Sequence, residues 1–153
     1  MKKHNNHTTK ILIAYYGLLQ TAHLLTLARA GILMLSGQTA PFPILPPQGG
    51  WEMDTLPFLF GLAGMDVIGI LLALLFAYRA LFKEKSNQLL GILSLTIFIT
   101  GAIVFGAGTF PSGAWASNPF AYWAMVVLFL PAGWLYIRLL MDAARSEQTS
   151  QGQ

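Results

Sequence analysis

The sequence predicts an all-α integral membrane protein, a bundle of four transmembrane helices with both chain ends on the cytoplasmic side. Composition, run length and charge placement each point there. Of 153 residues, 55% are hydrophobic and only 10% charged, against about 25% charged in typical globular chains. Four apolar runs, 11–35, 56–81, 89–110 and 120–141, each reach the length of about 20 residues that a helix needs to cross a bilayer. Outside these runs, lysine and arginine gather at the N-terminus, at Arg79–Lys85 and near the C-terminus, while 37–55 and 111–119 carry none. By the positive-inside rule the basic segments are cytoplasmic and the two loops without basic residues external. The expected location is a bacterial-type inner membrane.

The first ten residues are polar and basic and read as a cytoplasmic tail. His4 and His7 lie three apart but have no third ligand for a metal, and Asn6-His7-Thr8 fits a glycosylation pattern on the wrong side of the membrane. Run 11–35 has a rival reading, since a basic start and Ala28-Arg29-Ala30 resemble a signal peptide with its cleavage site. Gln20, Thr21 and His23 interrupt that hydrophobic region, and Ile32 to Leu35 continue it past the cleavage point. An uncleaved helix is the better reading.

Pro41, Pro43, Pro46 and Pro47 make 37–55 a semi-rigid extended loop, closed by Gly49-Gly50 and anchored at the interface by Trp51. A lid or partner-docking role is the alternative to a plain connector. The short 82–87 connection makes the second and third spans antiparallel neighbours. Gly91, Gly101, Gly106 and Gly108 give the third span small residues for close packing. Pro131-Ala132-Gly133 predicts a kink in the fourth, and Arg138 near its end can snorkel outward. The transmembrane domain is expected at 11–143, with a polar cytoplasmic tail at 144–153.

A carboxylate at mid-membrane costs about 2.5–3.5 kcal/mol on insertion scales and needs a partner or a polar cavity. Asp66 stands in that position, and the first span offers Arg29 as the expected partner. Gln20, His23, Thr26 and Arg29 recur at every third residue, a row that drifts by about 60° per step around the helix. A tilted neighbour following this diagonal would gather the four with Asp66 into one polar cluster. Two uses fit. Either Arg29–Asp66 fixes how the first two helices dock, or the cluster is the polar end of a pocket for a quinone or lipid, with His23 donating a hydrogen bond or carrying a proton. A proton-coupled transport path is the third.

Leu27-Ala28-Arg29-Ala30-Gly31-Ile32-Leu33-Met34-Leu35-Ser36-Gly37 resembles the first-helix pattern of DoxX-like membrane proteins, and Leu62-Ala63-Gly64-Met65-Asp66-Val67-Ile68-Gly69 resembles their second. Asp66 stands where the family usually has glutamate, and Gln38 where a lysine is expected nearby. The resemblance covers the first half of the chain. It implies a small four-helix subunit, in some members associated with quinone-linked sulfur or oxidative-stress enzymes.

Several classes fall away. No cysteine is present, which removes thiolate metal sites, iron–sulfur ligation and thiol catalysis by this chain. A single intramembrane histidine leaves no bis-histidine haem. The net charge of +3 is spread over segment ends and forms no nucleic-acid stripe. No catalytic residues, metal site or covalently held cofactor are expected, and a bound quinone or lipid is the only cofactor-like molecule in view. The leading expectation is a non-enzymatic accessory subunit of an inner-membrane complex, whose partners are the lipid bilayer and other membrane subunits. The alternative is a quinone- or lipid-binding protein with its pocket at His23, Arg29 and Asp66. Because the chain has no cysteine, topology is directly testable. Cysteine introduced at Gln48 should react with an impermeant maleimide on intact cells, and cysteine at Gln148 only after permeabilisation.

Overall fold

The computed structural model describes residues 7–38, 46–53, 55–83 and 87–151. The His4–His7 pair, the Asn6 site and part of the proline-rich loop fall outside them. Four long helices, α1 (His7–Leu35), α2 (Thr55–Phe82), α3 (Gln88–Thr109) and α5 (Pro119–Gln151), make up the bundle, and each is long and apolar enough to span a membrane. Between α3 and α5 the chain makes a 3₁₀ turn at Phe110–Ser112 and one α-helical turn, α4 (Ala114–Ser117). Among the described residues there is no strand.

Local signals set several ends. Gly37, at φ +72°, terminates α1 in the left-handed conformation, and the Gln38 N–H donates back to the Leu33 carbonyl at 2.9 Å. The Asn87 side chain caps α3 by accepting from the Leu90 N–H. One expectation changes. Helix α5 runs unbroken through Pro131 and continues to Gln151, well beyond the expected end of the span at Met141. The Tyr15 hydroxyl donates to the Leu128 carbonyl at 2.7 Å, tying α1 to α5.

Packing follows a 3–4 alternation along each helix. On α1 the inward stripe is Thr9, Ile13, Tyr16, Gln20, His23, Leu27 and Ala30, and on α2 it is Leu59, Leu62, Asp66, Gly69, Ala73, Phe76 and Ala80. This spacing is that of antiparallel bundles whose side chains interlock like those of coiled coils. Helix α2 packs on α1 and α3, and α5 closes the ring against α3 and, most thinly, α1. The two halves of the interior differ. Around the chain termini and the α2–α3 connection the core is dense, built from Ile13, Tyr16, Phe76, Leu95, Phe98, Leu135 and Leu139. Nearer the 36–54 and 110–118 loops a second cluster of Leu59, Leu62, Phe105, Ala114 and Tyr122 lies under Trp51 and Trp115. Asn118 Nδ2 donates to the Pro46 carbonyl at 3.1 Å and fastens the proline loop over this end.

The dense half leaves no room at Gly91, where an added Cβ would lie 2.7 Å from the Phe76 ring and 2.9 Å from Leu139 Cδ1. Gly64, by contrast, faces open space. Gly91→Ala is expected to lower stability by about 1–3 kcal/mol through overpacking, and Gly64→Ala to leave it unchanged or slightly raised. Thermal unfolding of both variants in one detergent checks the pair.

Candidate functional site

Where the interior residues are small, the loop half of the bundle leaves a cavity of about 340 Å³. All four long helices line it. Ala22, Ala63, Gly101, Ala102, Ala121 and Ala124 are among its lining residues and leave it unfilled. Leu19, Phe98 and Phe129 form its floor, the two phenylalanine rings stacked with centroids 4.3 Å apart. Leu59, Leu62 and Phe105 form its upper wall and belong to the cluster roofed by Trp51 and Trp115.

Only three lining side chains are polar: His23, Thr26 and Asp66. His23 Nε2 stands 3.7 Å from Asp66 Oδ2, too long for a hydrogen bond and an ion pair only when the imidazole is protonated. Both side chains keep a fraction of their surface open, 23% and 16%, and that surface faces the cavity. The back of the carboxylate is set by Gly101, where an added Cβ would come within 3.2 Å of Asp66 Oδ1. Glycine there lets α3 approach the acid closely. The His23 ring also meets the Phe98 ring edge-to-face at 6.4 Å. Thr26 donates its hydroxyl to the Ala22 carbonyl at 2.9 Å, which leaves its oxygen lone pairs free to accept.

The expected partner of Asp66 is replaced. Arg29 is exposed, lines no part of the cavity, and forms no ion pair with Asp66 or any other described residue. Helical geometry explains the outcome. Nine residues separate Gln20 from Arg29, which turns the arginine about 180° around the helix. Neighbouring helices follow the 3–4 stripe through Gln20 and His23, not the every-third-residue row, so Thr26 falls at the cavity's edge and Arg29 outside. Gln20 is buried on the stripe one turn below His23, outside the cavity lining, and neither of its amide atoms has a hydrogen-bond partner. The polar cluster read from the sequence therefore divides into a cavity group (His23, Thr26, Asp66), a core amide and a surface cation.

The alanines and Gly101 that create the cavity escape sequence reading, because a small residue signals equally a close helix contact or a void. Among the described residues no three histidine, aspartate or glutamate side chains gather as a metal site would require. Chemically, the site offers an imidazole and a carboxyl, each able to donate or accept according to its protonation, at the base of an apolar chamber. Comparison with protein-family models, curated proteins and solved structures finds no match.

Two consequences are measurable. Replacing Gln20 by leucine removes a buried amide with unmet hydrogen bonds and is expected to raise stability by about 1–2 kcal/mol, read as a higher melting temperature. Arg29→Gln should change melting little, whereas a buried Arg29–Asp66 pair would make its loss as damaging as the loss of Asp66, by stranding a buried charge.

Proposed function

We propose that this protein is a multi-pass membrane protein that binds one lipophilic molecule, a quinone or lipid, in the cavity between its four helices. The observation that carries this reading is the combination of His23 and Asp66 with an otherwise apolar chamber of about 340 Å³. Ligand pockets in general run from about 300 to 1,000 Å³, with mostly apolar walls and a few polar groups that orient the occupant. A carboxyl that accepts no hydrogen bond from any described residue, facing an open chamber, suits a ligand that supplies the missing donor or acceptor. Among the described residues no nucleophile–base arrangement or metal set accompanies the pair, and the proposed role is binding and presentation, with chemistry left to a partner.

Four apolar helices support the membrane location. The inner membrane and cytoplasmic termini rest on the distribution of basic residues. The DoxX-like resemblance fits the same picture, because it implies a subunit without a redox centre beside a quinone-linked enzyme.

The accessory-subunit reading draws on a separate feature. An outward-facing apolar groove between α3 and α5, lined by Phe110, Trp115, Trp123 and Trp134 among others, is suited to another membrane helix. The two readings are compatible. Native mass spectrometry of protein extracted in mild detergent from its own membrane tests both. The cavity reading predicts a small lipophilic mass on the wild-type chain, at one per chain, and its loss in Asp66→Leu and His23→Leu. A stoichiometric protein companion supports the subunit role, and a bare wild-type chain contradicts both.

A further inference from the structure

The cavity's walls are not equally closed. Its α2 and α3 residues are buried or half-buried, whereas Ala22 and Thr26 on α1 and Leu128 on α5 line the chamber and are also exposed at the outer surface of the bundle. The same residues flank the thinnest helix contact in the ring. Trp51, Trp115 and Tyr122 cover the loop end, and the Phe98–Phe129 stack closes the floor. The Tyr15 hydroxyl bond to Leu128 marks the bottom of the gap. The way in is thus a lateral slot between α1 and α5, facing the bilayer rather than either aqueous side.

Depth then restricts what can enter. Asp66 lies eleven residues into α2 and His23 twelve residues before the end of α1, roughly 16–18 Å from the loop ends at 1.5 Å per residue. In a hydrocarbon core about 30 Å thick this is close to the middle. The cavity's polar groups are at its deep end, and Leu59, Leu62 and Phe105 occupy the shallow end. A phospholipid from the outer leaflet has the opposite polarity, with its charge at the surface and its chains deep. Carrying a phosphate to mid-membrane is costly, while a neutral carbonyl or hydroxyl costs little once hydrogen-bonded.

We propose that the ligand is a neutral-headed amphiphile of the quinone class, entering head-first from the bilayer through the α1–α5 slot, with its carbonyl or hydroxyl oxygens between His23 and Asp66. The tail trails back through the slot between Ala22 and Leu128 into the lipid. This inference rests on the binding role proposed above and narrows it to one chemical class and one route.

The test is a titration of the purified protein in mild detergent with a decyl-substituted benzoquinone, read by quenching of tryptophan fluorescence. Dioleoylphosphatidylglycerol serves as the phosphate-bearing competitor. Ala22→Phe and Leu128→Phe narrow the slot, and Gly64→Phe, on the open face of α2, controls for added bulk. Thr26→Phe on the same lip replaces either slot variant that fails to melt near the wild-type temperature. The expected result is saturable binding of one quinone per chain by wild type and Gly64→Phe. The slot variants should be weaker by about tenfold or more, and the phospholipid should not compete. Competition by the phospholipid, or slot variants with wild-type affinity, overturns the proposal. A phospholipid retained by wild type and lost from both slot variants, without quinone binding, overturns the neutral-headed class and leaves cavity binding standing. A wild-type chain that retains neither removes the binding role itself.

Discussion

An acid enclosed by apolar helices is the constraint from which the rest follows. Asp66 sits on the inward stripe of α2, and its neighbours must either pair with it, hydrate it or leave it a chamber. The bundle does the first and the third. His23 approaches to 3.7 Å, Gly101 gives the carboxyl room from behind, and a set of alanines keeps the space in front open. Had leucines stood at those positions, the interior would have been filled as it is lower in the bundle, and the acid would have had no polar outlet.

The division into a dense half and a hollow half assigns different work to the two ends. Interlocked aromatic and branched side chains fix helix register below the Phe98–Phe129 stack. Above it Trp51 and Trp115 pack over the second cluster, and the Asn118–Pro46 hydrogen bond ties the two loops together.

Much of this was legible in the sequence, and its limits have a physical cause. Run length and apolarity were enough to find the four helices, and the expense of an intramembrane carboxylate was enough to single out Asp66. Its partner could not be read. Helix α1 is apolar on nearly every side, so no amphipathic face announces which direction points inward. Without that direction the every-third-residue row from Gln20 to Arg29 and the 3–4 stripe from Gln20 to His23 are equally good candidates, and they diverge by half a turn at Arg29. Charge complementarity favoured the arginine; packing chose the histidine.

The most direct test is an experimental density map of the protein prepared from its own membrane without added ligand. The account predicts an elongated, partly planar feature in the chamber, its inner end within hydrogen-bonding distance of His23 and Asp66 and its outer end leaving between α1 and α5. A chamber closed by Arg29 reaching Asp66, or filled by the protein's own side chains, would contradict it.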